Sequence, residues 1–270
     1  MSDILTTVAI TSFNRMKYLK SLVNSLRHLP KESYDIIVVD NCSTEKGLQE
    51  YVRSLEADGT INKAVIRPPS ERNWINDEYI AKNIIIEYAK TDTIIFLQDD
   101  LQFIGSHKSL VQTIEDFRKM PFACLEMNGV RRVSLSSKFA SGRCFHVGSS
   151  QKYWISDDNH FHTMGLFKKA LFDHLGMYPV DWPVTQDFWG RSEDHYDGLV
   201  KSSFPNQQIN ASCHVPLFLP VWNDSRGGYA FIRGNKRYGE YKDALHSSGL
   251  YYAHLTDMEY EKEMNEQRAR

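Results

Sequence analysis

Closely spaced cysteines are missing from this 270-residue sequence, which has four cysteines and no Cys-x-x-Cys pair. Disulfide frameworks and structural zinc sites depend on such spacing, so we expect reduced thiols in a cytosolic protein. Long hydrophobic runs are also missing, because no apolar stretch approaches the roughly 20 residues of a membrane-spanning helix. The first residues show no basic region, apolar core or cleavage site of a secretory signal. We therefore expect a cytoplasmic protein with no transmembrane segment.

The chain has no large excess of positive or negative charge, since its formal net charge is -2. That balance gives no general argument for binding nucleic acid or an anionic membrane surface. The glycine-rich loops GxGxxG and GxxxxGK[ST] are both absent, which excludes the common dinucleotide fingerprint and the P-loop. The length and the 41% hydrophobic content suit one large soluble domain, or a domain with a second, closely packed half.

Strand-like and helix-like segments alternate over the first hundred residues. The apolar, β-rich segments cover residues 6–13, 34–40, 62–67 and 94–97. Between them, large apolar side chains recur at three- and four-residue spacing, which is typical of amphipathic helices. The alternation predicts an α/β fold in which helices flank a parallel sheet. Ser43 or Thr44 is expected to cap the second of these helices.

Polar clusters follow three of the predicted strands: Thr11–Arg15, Asp40, and the adjacent Asp99 and Asp100. Open α/β sheets bind ligands at the carboxyl ends of their strands, so these side chains are expected to meet at one edge. Two adjacent carboxylates there suit a hard cation, and a cation held there could carry a diphosphate. A solvated turn that ends the strand is the ordinary alternative for the aspartate pair.

A series of motifs resembles those of the GT-A fold glycosyltransferases, family 2 in particular. The resemblance covers roughly the first 200 residues, and we find none beyond about Phe218. Three positions depart from the family pattern: Gln98 replaces the first aspartate of Asp-x-Asp, Phe13 replaces a tyrosine, and Cys42 replaces a glycine. The motifs are Thr7–Arg15, Ile37–Thr44, Arg72–Asn73 before Ala81–Asn83, Phe96–Asp100, Met164–Tyr178 and Ser192–Asp194.

The resemblance implies a Rossmann-like GT-A domain, with a mostly parallel central sheet, flanking helices and a smaller acceptor-binding half. It assigns residues 1–105 to the nucleotide-sugar half and residues 106–222 to the acceptor-binding and catalytic half. Residues 223–270 are expected to form a flexible basic loop and a helical tail. We expect the loop to close over a diphosphate, and a solvated loop is the alternative.

The resemblance also implies a donor site in the first half of the chain. Thr11, Phe13 and Arg15 would line the nucleotide pocket, and Arg72 would lie near the base or the diphosphate. Asp40 would bind the nucleoside through its base or ribose. Capping of the next helix is the ordinary alternative for Asp40, and a surface position is the alternative for Arg72.

Five further residues receive roles from the family motifs. Asp100 matches the metal-binding position, where Mn²⁺ or Mg²⁺ would neutralise the leaving diphosphate, and Asp99 would lie at the ribose hydroxyls or reach the metal through water. Asp194 matches the base that deprotonates the acceptor hydroxyl, with Glu193 as its partner. The alternative for this pair is an acidic helix N-terminus, which the helix dipole favours. His214 would be a further metal ligand, and a core or surface histidine is the alternative.

The sequence thus predicts a metal-dependent inverting glycosyltransferase. It would move a sugar from a nucleotide-sugar, UDP-linked in most of the family, to a hydroxyl of a glycan or similar acceptor. Two other classes stay open. A sugar-phosphate nucleotidyltransferase has an early Gly-x-Gly-Thr-Arg loop where this chain has Thr11–Arg15. A binding module that lost catalysis is favoured by Gln98 and opposed by the intact carboxylates.

Overall fold

The computed structural model describes residues 4–73, 76–127, 143–147, 151–155, 164–180, 191–204, 209–213 and 217–220. The strands are β1 (Thr6–Ser12), β2 (Tyr34–Asn41), β3 (Lys63–Arg67), β4 (Thr93–Gln98), β5 (Leu101–Phe103), β6 (Cys124–Glu126), β7 (Arg143–Val147), β8 (Gln151–Ile155), β9 (Gly165–Lys168), β10 (Asn210–Cys213) and β11 (Phe218–Pro220). The α-helices are α1 (Met16–Leu26), α2 (Leu48–Ala57), α3 (Asp77–Tyr88), α4 (His107–Lys119), α5 (Lys169–Leu175) and α6 (Arg191–Ser203).

Nine of these strands form one sheet, in the order β3-β2-β1-β4-β9-β6-β10-β8-β7. The pairs β3–β2, β2–β1, β1–β4 and β6–β10 are parallel, whereas β9 and β8 are antiparallel to their neighbours. Within the described residues, the other seven strands of the sheet therefore share one direction. This arrangement confirms the predicted α/β fold with a mostly parallel central sheet.

The core lies on both faces of the sheet, because successive side chains of a strand point to opposite sides. Val8, Val38 and Leu97 belong to the cluster that packs against α1, α2 and α4. Ala9 and Val39 belong to the second cluster, which packs against α3, α5 and α6. Strands that are covered on both faces read as continuous apolar runs, and these runs made the strands predictable from the sequence.

Strand β9 joins the two halves of the sheet, since it pairs with β4 on one side and with β6 on the other. Gly165 begins β9 with φ at +134°, and a Cβ atom there would lie 2.5 Å from the carbonyl oxygen of Leu125 in β6. A larger residue would separate β9 from β6. Glycine at this position therefore allows the sheet to continue from β4 through β9 to β6.

Helix α2 begins later than the sequence predicts. Its N-cap is Gly47, with φ at 83°, and no side chain caps it. The prediction of a Ser43 or Thr44 cap is wrong, because the Ser43 hydroxyl instead accepts a hydrogen bond from the backbone N–H of Asn14 at 2.9 Å. The oxygen of the Asn14 side chain accepts from the backbone N–H of Thr44 at 2.7 Å. These residues fasten the loop after β1 to the loop after β2.

Two expectations from composition can be compared with the described residues. Cys42, Cys124 and Cys213 are buried free thiols, as the cysteine spacing indicated. None of the described helices is both long enough and apolar enough to span a membrane.

Candidate functional site

A cavity of about 380 Å³ opens at the carboxyl edge of β1, β2 and β4, where helix α3 begins. Parallel strands of this kind place their ligands at that edge. Six residues predicted for the donor and metal sites meet here, and five further residues complete the wall. The lining residues are Thr11, Ser12, Phe13, Arg15, Asn41, Arg72, Asp77, Glu78, Gln98, Asp99 and Asp100.

The end of β4 fixes Asp99 in the wall of this cavity. Its backbone N–H donates to the carbonyl of Thr11 at 3.1 Å, which extends the β1–β4 pairing by one residue. The hydroxyl of Ser12 donates to its Oδ2 at 2.8 Å, and the backbone N–H of Phe13 donates to the same atom at 3.3 Å. Asp99 is 3% exposed. The loop after β1 therefore donates the hydrogen bonds that water would otherwise donate to this carboxylate oxygen.

Arg15 is the counter-ion of the aspartate pair. Its Nη1 lies 2.7 Å from Oδ2 of Asp100 and 3.6 Å from Oδ1 of Asp99. Burial and the adjacent Asp100 raise the pKa of Asp99 to about 7, although Ser12 and Arg15 act in the opposite direction. Burial also raises the pKa of Asp100, against the guanidinium of Arg15. Asp99 and Asp100 are adjacent and buried, so an added cation would stabilise their ionised forms.

The aromatic ring of Phe13 forms part of the wall with Arg72, whose guanidinium carbon lies 4.2 Å from the ring centroid. Such stacking of a planar cation on an aromatic face gives a flat, amphipathic surface. Both residues line the cavity, as does Thr11 of β1, whose hydroxyl donates to the carbonyl of Leu97 at 3.4 Å. A flat aromatic and cationic surface beside acidic groups is suited to a nucleotide base and its phosphates.

A buried arginine that the sequence reasoning missed organises this end of the cavity. Arg67 ends β3 and is 4% exposed. Its Nη1 donates to Oδ1 of Asp77 at 2.9 Å and also to the side-chain oxygen of Asn41. Its Nη2 donates to the carbonyl of Glu71 at 3.0 Å. Arg67 thereby holds two polar lining residues from different elements in fixed positions.

Asp40 lies outside the lining of the cavity. The residue is fully buried, and neither carboxylate oxygen has a hydrogen-bond partner of ordinary length among the described residues. Burial raises the pKa of Asp40, while the nearby Ser43 and Gln49 act in the opposite direction. Asp40 follows the alternation of β2 onto the face of α1 and α2, and its neighbour Asn41 faces the cavity.

Glu78, in the first turn of α3, adds a third carboxylate to the cavity wall. Its Oε1 accepts a hydrogen bond from Nζ of Lys82 at 2.6 Å and another from Nε2 of Gln98 at 3.2 Å. Partial burial opposes ionisation of Glu78, but Lys82 outweighs it and lowers the pKa. Sequence reasoning missed Glu78, because an acidic residue in a first helical turn is ordinarily explained by the helix dipole.

The residues at this edge fit a divalent cation that arrives with a phosphate ligand. Among the described residues, no group of three or more His, Cys, Asp or Glu side chains could hold a metal ion. Mg²⁺ and Mn²⁺ nevertheless use one or two protein carboxylates when phosphates and water supply the other ligands. Asp100 and Asp99 provide such oxygens, and Oδ2 of Asp100 accepts a hydrogen bond from Arg15 in the free protein.

The predicted catalytic pair lies on α6. The structure describes the helical backbone at Glu193 and Asp194, and their side chains lie outside the described residues. Tyr196, on the same helix, is buried, with its ring centroid 4.5 Å from that of Tyr178. Its hydroxyl donates to the carbonyl of Gly176 at 2.9 Å. His214 and the basic loop at 223–239 also lie outside the described residues, so their roles stay predictions.

Solved structures with a similar fold are GT-A glycosyltransferases. Staphylococcus aureus TarS has a TM-score of 0.57 at 16% identity, over 86% of this chain and 38% of that one. TarS 1–349 in complex with UDP-GlcNAc has a TM-score of 0.57 at 14% identity, over 92% of this chain and 73% of that one. The mannosyltransferase PcManGT from Pyrobaculum calidifontis, in complex with GDP-Man and Mn²⁺, has a TM-score of 0.53 at 16% identity, over 86% of this chain and 63% of that one. At these identities the likeness shows the fold.

The family itself follows from the sequence match. The model of glycosyl transferase family 2 matches residues 7–175, well over half of the chain, and the protein belongs to this family. A search of curated protein sequences finds no match. The match covers only 38% of the TarS chain, so the activity and partners of such a longer protein do not transfer to this one.

Proposed function

We propose that this protein is a metal-dependent, inverting glycosyltransferase that takes a sugar from a nucleotide-sugar and transfers it to a hydroxyl group of a glycan or similar acceptor. The observation that carries the proposal is the buried pair Asp99 and Asp100 in a cavity that also holds Phe13, Arg15 and Arg72. This cavity combines a flat surface for a base, cations for phosphates and oxygens for a divalent metal. Family membership makes glycosyl transfer the reaction that such a cavity serves best.

Each part of the donor then has a partner in the cavity. Phe13 and Arg72 stack on the base. Asp40 is not among the lining residues, so the nucleoside contact predicted for it stays a prediction. Asp99 accepts from ribose hydroxyls through its second oxygen. Arg15 moves from Asp100 to the diphosphate, so that the protein exchanges one counter-ion for another as the donor enters.

Asp100, with support from Asp99, would hold Mn²⁺ or Mg²⁺. When bound, the cation stabilises the negative charge that develops on the leaving nucleoside diphosphate. Arg15 and Arg72 lie in the same cavity and supply further positive charge toward the diphosphate. Burial of the cavity wall strengthens these interactions, because little water screens them.

We assign the proton transfer to Asp194 on α6. Inverting transfer needs a carboxylate that removes the proton of the acceptor hydroxyl while the oxygen attacks the anomeric carbon from the face opposite the diphosphate. Glu193 would orient the acceptor or the neighbouring loop. The packing of Tyr196 against Tyr178 anchors this helix to the segment that follows α5, and thereby gives the base a rigid support.

UDP is the donor nucleotide that we propose, since it is the commonest in the family. TarS 1–349 has been solved with UDP-GlcNAc and PcManGT with GDP-Man, so the test must include both bases. Thermal unfolding with UDP-, GDP- and dTDP-linked sugars, each with and without Mn²⁺, is expected to show the largest stabilisation for a UDP-sugar with metal.

Product formation with the stabilising donor and an acceptor panel completes the test. Release of pyrophosphate from a nucleoside triphosphate and a sugar phosphate would instead support a nucleotidyltransferase. Tight nucleotide binding with neither hydrolysis nor transfer across the donor panel would support a binding module.

A further inference from the structure

Gln98 occupies the position at which the family motif has its first carboxylate, but the structure brings a carboxylate to the same place from another element. The side-chain amide of Gln98 donates to Oε1 of Glu78 at 3.2 Å. Glu78 stands in the first turn of α3, twenty residues earlier in the chain, and both residues line the cavity. An acidic group is therefore present beside position 98, although the sequence of the motif lacks it.

A buried lysine fixes this carboxylate. The side chain of Lys82 is 2% exposed, and its Nζ lies 2.6 Å from Oε1 of Glu78. The ammonium also lies 5.4 Å from the ring centroid of Tyr79 and 5.8 Å from that of Tyr178. A buried ammonium group is strongly unfavourable without a charged partner, so Lys82 requires an ionised Glu78 in this position.

The two oxygens of Glu78 have different surroundings. Oε1 already accepts from Lys82 and Gln98, whereas no described residue donates a hydrogen bond to Oε2. The side chain is 35% exposed and lines the cavity, so the second oxygen remains available to a ligand. A carboxylate that a lysine already neutralises attracts a metal weakly, and its free oxygen is best suited to accept hydrogen bonds from hydroxyl groups.

We infer that Glu78 binds hydroxyl groups of the donor and that Lys82 is its positioning residue, so that α3 supplies the carboxylate that the family motif has at position 98. This inference rests on the proposed function. The shared chemistry is a pair of neighbouring hydroxyls, which both the ribose and the transferred sugar carry. Glu78 differs in role from Asp100, which serves the metal, and from Asp194, which serves the acceptor.

Isothermal titration of Glu78→Gln tests the role directly. The ligands are UDP, 2′,3′-dideoxy-UDP and the UDP-sugar that stabilises the wild type, each with Mn²⁺. We expect Glu78→Gln to lose about tenfold in affinity for a hydroxyl-bearing ligand. An equal loss for UDP and UDP-sugar, absent for the dideoxy form, assigns the hydroxyls to the ribose. A loss for the UDP-sugar alone assigns them to the sugar.

A charge-transposed variant separates this role from a defect in folding. The double substitution Glu78→Gln and Gln98→Glu exchanges amide and carboxylate across their hydrogen bond, and we expect it to recover most of the lost affinity. The matched control is Glu87→Gln, an exposed glutamate near the end of the same helix, which should bind as the wild type does. Thermal unfolding of each variant verifies that it is folded.

The affinities of Lys82 variants for the same ligands test the positioning role of Lys82. Lys82→Met should lower the ratio of affinities for the hydroxyl-bearing and hydroxyl-lacking ligands, as Glu78→Gln does, and Lys82→Arg should restore it. A purely structural lysine would weaken all ligands equally. If the wild type binds nucleotide-sugar and Glu78→Gln binds every ligand within twofold of it, the role of Glu78 is refuted alone. If the wild type binds no nucleotide, the proposed function fails and takes this inference with it.

Discussion

Buried polar groups at the two ends of β1 and β4 differ in charge and in hydrogen bonding. At the amino end of β1 and β4, threonine hydroxyls satisfy one another. Thr91 accepts from the backbone N–H of Thr7 at 2.8 Å, and its hydroxyl donates to the carbonyl of Thr93 at 2.7 Å. Thr93 donates to the hydroxyl of Thr6 at 2.9 Å. All four are buried, uncharged and hydrogen-bonded, which is the arrangement expected where only stability matters.

At the carboxyl end of the same strands, charges are buried and incompletely compensated. Asp99 and Asp100, which follow β4, are both buried, and burial raises the pKa of each. Buried carboxylates of this kind lower the stability of the ligand-free protein. They are typical of functional sites, where a ligand supplies the charges and hydrogen bonds that the protein lacks. The contrast teaches that substitutions at the carboxyl edge should affect activity more than folding, and those at the amino edge should do the reverse.

Asp100→Ala should show the largest effect of all. We expect turnover to fall by at least about 10³-fold, because the carboxylate that would hold the cation is lost. Transfer assays with Mn²⁺ at fixed free metal measure the change, and Thr91→Val, at the opposite edge, is the control that should keep its turnover. Full activity of Asp100→Ala in a chelator-controlled assay would show that the metal role is misassigned.

Asp194→Asn extends the comparison to α6. Loss of the proton acceptor should lower kcat by about 10²- to 10³-fold while donor affinity stays within twofold. Single-turnover transfer and donor titration separate the two quantities. Asp197→Asn on the same helix is the matched control. Turnover of Asp194→Asn within a few-fold of the wild type would mean that another residue is the base.

The pH dependence of stability should reveal the charge buried at the carboxyl edge. The pKa of Asp99 is about 7 in the folded protein, above that of a free aspartate. The folded state therefore binds this proton more tightly than the unfolded state does. Protonated Asp99 stabilises the folded state at low pH, and this contribution is lost as the pH rises through 7. Between pH 5 and pH 8 this loss is on the order of 2 kcal/mol. Urea unfolding measures the difference between the free energies of unfolding at the two pH values. This difference should be smaller in Asp99→Asn than in the wild type, and it should be unchanged in Asp173→Asn, a substitution at an exposed position. An unchanged difference in Asp99→Asn would contradict the prediction.

Thr91→Val should produce the smallest change and complete the contrast. The substitution leaves the backbone N–H of Thr7 without its partner and should lower the free energy of unfolding by about 1–2 kcal/mol, with no change in turnover. Urea unfolding measures the loss. Asp100→Ala, just beyond the other end of β4, should instead lose turnover with little loss of stability. The comparison of the two edges fails if both variants behave alike.

The sequence was sufficient to predict the edge at which the site lies, because apolar runs define the strands and polar residues follow each one. The structure accordingly brings Thr11, Phe13, Arg15, Asp99 and Asp100 to one cavity. The roles assigned to these residues stay predictions. What they share is a position within a few residues of a strand end, which a single sequence reveals directly.

Other parts of the site depend on information that one sequence does not contain. Asp40 and Asn41 are adjacent, and only the alternation of β2 decides that Asn41 faces the cavity. Asp77 and Glu78 lie in the first turn of a helix, where acidic residues are common for reasons of stability alone. Arg67 becomes interpretable only when the end of β3 is seen beside α3. These assignments depend on tertiary contacts between distant segments.

The position of β9 has a consequence for how the protein is made. Strand β4 leaves the ribosome well before residues 165–168, yet its second neighbour in the sheet is β9. Until β9 arrives, an apolar strand has an open edge, which invites pairing with other chains. A protein cut after residue 105 would carry every residue that lines the cavity but should self-associate. Folding of the first half of the chain therefore depends on a short segment that contributes no residue to the cavity wall.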